Sequence, residues 1–191
     1  MLGSSPTYLL AWPGETEITL SKMPPGAPFQ VVADVAHGKV YVVSSAGLVA
    51  TVAGTKVVYH RVPLNGKPFD AAWTGSGRIA LWGEDGLGTI DTRTWKTSAI
   101  APGVTGALAT PYGIAAWTKA PDGLGVYEAD GTRRFQLLQG RQITAATAVG
   151  TTLYADTTAK TRYSVDLRSG KTTGPLPTSA RIVTPSYVVI P

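Results

Sequence analysis

Five stretches of the chain are apolar for about five residues and then stop at turn-forming residues. They are Lys39-Val-Tyr-Val-Val43, Arg78-Ile-Ala-Leu-Trp82, Gly113-Ile-Ala-Ala-Trp117, Thr152-Leu-Tyr-Ala-Asp156 and Ser186-Tyr-Val-Val-Ile190. Their length, their β-branched and aromatic content and their polar borders predict buried β-strands. No run of ten residues holds an apolar period of 3.6, so essentially no helix is expected. Successive strands begin 39, 35, 39 and 34 residues apart, which is the signature of an internal repeat.

A second landmark repeats in step with the first. The segment Asp91-Thr-Arg-Thr-Trp-Lys-Thr97 returns 75 residues later as Asp166-Leu-Arg-Ser-Gly-Lys-Thr172, two periods on, with Glu128-Ala-Asp-Gly-Thr-Arg133 in the slot between. An Asp at a strand end accepts backbone N–H groups from the turn that follows, and Gly supplies positive φ, so these segments predict hairpin turns. Pro28-Phe29 recurs as Pro68-Phe69 and Leu87-Gly88 as Leu124-Gly125. Four complete units are read at about 28–67, 68–104, 105–141 and 142–180.

The ends carry half-units. The segment Arg181-Ile-Val-Thr-Pro-Ser-Tyr-Val-Val-Ile-Pro191 matches the first half of a unit, and Tyr8 to Gly26 matches the second half. Two halves that sum to one unit (181–191 plus 1–27) predict a ring closed by pairing strands from opposite termini, which hides exposed edges. A length of 191 residues then gives one domain, all-β, of five four-stranded antiparallel blades. Short strands alone also allow a β-sandwich; the half-units favour the ring.

On these residues the chain resembles the β-propeller superfamily, and the Val165-Asp-Leu-Arg-Ser-Gly-Lys-Thr172 turn is similar to the YVTN and quinoprotein-like branch. There is no Gly-His…Trp-Asp pair of the WD40 type, and Trp95 stands where its copy has Gly170. The resemblance implies a rigid ring whose ligand surface is the end bearing the second-to-third loops and the connections between blades.

Composition narrows the chemistry. Charged residues make up 15% and hydrophobic residues 43% of the chain, a balance that folds. With no Cys, disulfides, zinc–thiolate sites and cysteine nucleophiles are excluded. The longest apolar runs fall far short of the ~20 residues that span a bilayer, so no transmembrane segment is expected. Met1 to Pro6 lacks the features of a secretory signal, which is read as absent or removed; an extracytoplasmic or secreted domain is the favoured location. Two histidines, His37 and His60, stand far apart without acidic spacing, so no metal site and no cofactor are expected. Gly86-Leu-Gly88 and Gly123-Leu-Gly125 lack a following helix and read as hairpin glycines, not phosphate loops.

The candidate ligand-binding residues on the loop-bearing end are Asn65, Lys67, Glu84, Asp85, Lys119, Asp122 and Arg141, with Lys160 nearby. Among them Glu84, Asp85 and Asp122, together with Asp70 at a strand start, are the carboxylates placed to attempt acid–base hydrolysis of a glycoside. Solvated turn residues are the plainer reading of all four. Asp34 is read as hydrogen-bonded to a neighbouring strand, or as a channel carboxylate. Trp82 and Trp117 recur at one place in successive units and are expected between blades; Trp12 and Trp95 are expected to be exposed, as a carbohydrate platform or protein contact.

The net charge of +5 is uneven. Residues 131–191 hold eight Lys or Arg against two acids, Asp156 and Asp166, whereas residues 1–130 hold nine against ten. Arg133, Arg134, Arg162, Arg168 and Lys171 are therefore read as a basic flank that an acidic protein, a polyanion or an anionic membrane surface could use. Without interleaved exposed aromatics, nucleic acid is not the expected partner. The leading expectation is a non-enzymatic binding module for a protein or carbohydrate ligand. A carbohydrate-active enzyme and an interaction protein docking through the basic flank are the alternatives.

Overall fold

In the computed structural model, which describes residues 8–11, 16–24, 29–64, 66 and 68–176, the chain forms four sheets and a hairpin. The hairpin is β1 (Tyr8–Ala11) with β2 (Thr16–Thr19). The first sheet holds β3 (Phe29–Asp34), β4 (Lys39–Ser44), β5 (Leu48–Ala53) and β6 (Lys56–Arg61). The second holds β7 (Pro68–Trp73), β8 (Arg78–Gly83), β9 (Gly86–Asp91) and β10 (Thr97–Ala101). The third holds β11 (Val104–Thr110), β12 (Gly113–Thr118), β13 (Leu124–Tyr127) and β14 (Arg133–Leu137); the fourth holds β15 (Ile143–Val149), β16 (Thr152–Thr157), β17 (Arg162–Asp166) and β18 (Thr172–Leu176). Each sheet is an antiparallel meander in chain order. Among the described residues the only helical turn is a 3₁₀ turn at Val35–His37.

Four of the five apolar runs that announced the repeat are the second strands β4, β8, β12 and β16. β4, β8 and β12 are near-continuously apolar because neighbouring strands cover them on both sides, whereas β16 alternates, with Leu153 and Ala155 buried toward the third sheet. In β8, Ile79 and Leu81 pack with Tyr41, Val43 and Val49 of the first sheet, while Ala80 and Trp82 pack with Ala107, Ile114 and Ala116 of the third. The third and fourth sheets meet through Leu124, Val126, Leu153 and Val165. Each fully buried side chain of this size contributes about 1.5–3 kcal/mol, so the faces between sheets are the core. Beyond the first sheet's other face, Ile18 and Leu20 pack on Val42, Ala50 and Val52.

Trp82 is 8% exposed, and Trp117 is half-buried against the third-to-fourth core, so both lie between sheets. Trp95 departs from its expected exposure: it is half-buried, with its ring stacked on His60 (centroids 3.6 Å apart, planes 10° apart). The reason is positional, since the β9–β10 turn leans over the outermost strand of the preceding sheet. Asp34 is 3% exposed, and its carboxylate meets His37 Nδ1 at 2.8 Å across the 3₁₀ turn; the neighbouring-strand partner expected for it is a turn residue instead. Trp12 and the strand Ser186 to Ile190 lie outside the described residues.

Candidate functional site

The two ends of the stacked sheets differ. One end carries the β3–β4 and β5–β6 type turns, and the other carries the second-to-third turns together with the connections from one sheet to the next. On the second end, the connection from β6 to β7 arches over the second sheet and encloses a cleft of about 100 Å³. Pro63, Leu64 and Pro68 form one wall, Leu81, Trp82 and Gly88 another, and Glu84 and Asp85 stand at the β8–β9 turn.

Gly88 lines the cleft where β9 runs closely against β10, and a Cβ on it would meet Ser98 O at 2.9 Å. Its counterpart 37 residues on is Gly125, where a Cβ would fall 2.6 Å from the Tyr127 ring; that ring fills the space in the third sheet. The second sheet has Ile90 in place of Tyr127, and Ile90 is buried toward the first sheet. Ile90 is not among the residues that line the cleft. Asp85 is held close to the arch: a Cβ on Gly66, which has φ +73°, would meet its carboxylate at 2.7 Å. The positive φ favours glycine at this position of the arch, and a larger residue would require the exposed Asp85 side chain to turn away.

The structure separates the candidate residues into two groups. Glu84 and Asp85 line the cleft; Asp70 and Asp122 do not. Asp70 accepts the Ala71 N–H at 2.8 Å, and the exposed Asp122 accepts the Thr118 hydroxyl at 3.2 Å. Asp122 belongs with Arg141, because the loops 119–123 and 138–142 are tied by Gly123 N–H to Arg141 O (3.1 Å) and Gly140 N–H to Pro121 O (2.8 Å). Arg141 lies over the Tyr163 ring at 4.7 Å, and Lys119 is exposed on the same loop. Asn65 and Lys67 fall outside the described residues. Sequence reasoning missed Leu64 and Leu81, which line the cleft from the β6–β7 connection and from β8 and carry no local signal.

The basic flank is split. Arg134 and Arg168 come together: Arg134 donates to Tyr112 O (2.6 Å) and Arg168 O (3.3 Å) and pairs with Glu128 at 3.1 Å. Arg168 lies over the Tyr112 ring and donates to its hydroxyl at 3.1 Å. Arg133 donates to Gln136, and Lys171 is exposed. Arg162 stands at the opposite end of β17, gripping Asp156 with two bonds of 2.6 and 2.8 Å. The carboxylate bonds hold its guanidinium in the charged form, above its ordinary pKa. Its register partner is Asp156, so it contributes to the sheet and not to a strip with the others.

No protein-family model matches the sequence, and no curated protein matches it. Solved structures do match it in shape. The chain is similar to dihydro-heme d1 dehydrogenase NirN in complex with DHE, with a TM-score of 0.64 and 14% identity over 86% of this chain and 41% of that one. It is similar to BamB from Moraxella catarrhalis, with 0.58 and 13% over 83% and 51%. YCF48 bound to D1 peptide gives 0.57 and 13% over 84% and 58%. The fold is a β-propeller. This chain spans 41–58% of the length of these three propeller proteins, and at such identities the likeness carries the fold alone. Among the described residues no group of three His, Asp or Glu could hold a metal ion, and no helix is long and apolar enough to cross a membrane.

Proposed function

We propose that this propeller is a binding module that receives a segment of a partner protein in the cleft beneath the β6–β7 arch. The observation that carries the reading is the cleft's construction, with apolar walls from Leu64, Pro68, Leu81 and Trp82 and carboxylates only at the β8–β9 turn. A void of about 100 Å³ accepts one apolar side chain, well below the ~300–1,000 Å³ of small-molecule pockets. Such a pocket on a rigid scaffold serves as the anchor point of a larger contact. The peptide bound to the similarly folded YCF48 supports a protein segment over a sugar.

The paired-carboxylate enzyme loses its support, because Asp70 and Asp122 are engaged elsewhere and Glu84 and Asp85 are consecutive residues of one turn. Panning a phage-displayed random dodecapeptide library on the intact chain should enrich peptides with a shared apolar anchor. Leu64→Glu should weaken them at least tenfold, about 1.4 kcal/mol. A library that enriches nothing, or peptides indifferent to Leu64→Glu, would overturn the reading. Hydrolysis of aryl glycosides that Glu84→Gln abolishes would restore the enzyme.

A further inference from the structure

The end of the propeller opposite the cleft carries a different pattern. Each third-to-fourth turn places exposed cations there: Lys56 in the first sheet, Arg93 and Lys96 in the second, Arg133 in the third, Arg168 and Lys171 in the fourth. None of the six forms an ion pair among the described residues. Three acids of the same turns are engaged by backbone N–H groups. Asp91 accepts the N–H groups of Arg93 and Thr94, Asp130 that of Thr132, and Asp166 those of Arg168 and Ser169. These backbone bonds hold all three carboxyls below their usual pKa, and the exposed Glu128 of the third-sheet turn is paired with Arg134, so the six cations are left without a carboxylate partner among the described residues.

The turns are stitched into one surface. Trp95 of the second sheet stacks on His60 of the first, Arg78 of the second donates to Ala129 O of the third at 3.0 Å, and Arg134 of the third donates to Arg168 O of the fourth. The same end exposes apolar side chains. Val35, in the 3₁₀ turn between β3 and β4, is 87% exposed, and Val149, at the last position of β15, is exposed as well.

We propose that this end docks on an anionic lipid surface. Cations spread over four sheets match a plane of headgroups, whereas a linear polyanion calls for a line or groove of charge. The exposed valines add an apolar contact that a bilayer interface repays. The strand β2 contributes an exposed Glu17 in place of a cation, so the basic surface is an arc over the four sheets. The inference is independent of the cleft, which lies at the other end.

Co-sedimentation of the intact chain with vesicles of phosphatidylcholine and phosphatidylglycerol (7:3) in about 0.1 M salt tests it. Binding should exceed that to pure phosphatidylcholine vesicles by at least tenfold and fall steeply with salt. Each cation near the surface is worth about fivefold. The triple variant Arg93→Gln, Lys96→Gln, Lys171→Gln, none of which makes a side-chain hydrogen bond or ion pair among the described residues, should therefore lose about a hundredfold. The matched triple at the cleft end, Lys119→Gln, Arg141→Gln, Lys160→Gln, should lose less than threefold, and Val35→Ser should weaken binding with no change of charge. Equal losses from the two triples, or equal binding to both vesicles, would overturn the proposal. So would retention on heparin without sedimentation, which assigns the arc to a linear polyanion.

Discussion

At the junction of the first and second sheets, the β9–β10 turn carries Trp95, whose ring covers His60 on β6. At the junction of the third and fourth, the β17–β18 turn carries Gly170, and the space above it is taken by Phe135 of β14, 2.8 Å from where a Cβ would stand. Trp95 and Gly170 are 75 residues apart, and so are His60 and Phe135. The backbones agree bond for bond. Asp91 N–H to Lys96 O and Trp95 N–H to Asp91 O, at 2.9 and 2.8 Å, return as Asp166 N–H to Lys171 O and Gly170 N–H to Asp166 O at the same two distances. Both fourth-position residues have positive φ, 57° for Trp95 and 72° for Gly170. What is kept is the turn and the filling of the junction; what changes is which partner supplies the bulk. A tryptophan accepts the left-handed conformation, at a cost of about 1–2 kcal/mol, because its ring replaces contact that the strand no longer provides.

The largest effect should come from forcing both partners to be large. Gly170→Trp puts a ring where Phe135 already sits and should cost about 3 kcal/mol by overpacking and backbone strain. Adding Phe135→His, which copies the His60 arrangement, should recover at least half of it. Thermal and urea unfolding of the single and double variants give the coupling, and additive losses would mean that the two junctions are not versions of one design.

Removing the bulk from the other junction should cost less. Trp95→Gly relieves the positive φ but abandons the stack on His60 and the contact with Tyr41. A net loss of about 2 kcal/mol is expected, below the range of fully buried aromatic truncations because Trp95 is half-buried. An unchanged urea midpoint would show that the ring contributes nothing.

The smallest effect concerns pH and distinguishes the junctions chemically. Burial pushes the His60 pKa below its ordinary 6.5. Between that lowered value and about 6.5 the unfolded chain binds more protons than the folded one, so stability is whole above pH 6.5, declines as the pH falls below it, and levels off below the folded value. His60→Phe, which reproduces the Phe135 side, should remove this decline while leaving the separate loss of stability at lower pH, as the pH falls through the lowered pKa values of Asp91 and Asp166. Unfolding midpoints measured from pH 7.5 to 5 in the two proteins check it, and a decline that survives the substitution would show that His60 is not its source.

These junctions also show what the sequence made legible. The second strands β4, β8 and β12 were readable because burial on both faces demands unbroken apolar runs, and the turns because an Asp followed by Gly or Ser leaves a local signature. Trp95 was misread as exposed because its partner, His60, lies 35 residues away on another sheet, and no local pattern links the two. The cleft was half visible: Glu84 and Asp85 stand out as loop carboxylates, but its apolar walls come from Leu64 and Pro68 on one side and Leu81 and Trp82 on the other, which only the fold brings together. Arg162 was grouped with the other cations by charge alone, since only the register of β16 and β17 brings Asp156 opposite it.

The meander order of every sheet bears on how the chain is made. Each strand bonds to its neighbour in sequence, and each sheet is complete within about 34 residues. At about 5–20 residues per second of synthesis, a sheet's ladder can close within roughly two to seven seconds of its first residue becoming free. Its second strand stays bare on one face until the next sheet arrives. Folding therefore advances along the chain as a series of local closures, each of which leaves one apolar wall open for the next, and the most aggregation-prone moment of synthesis is the interval between two sheets.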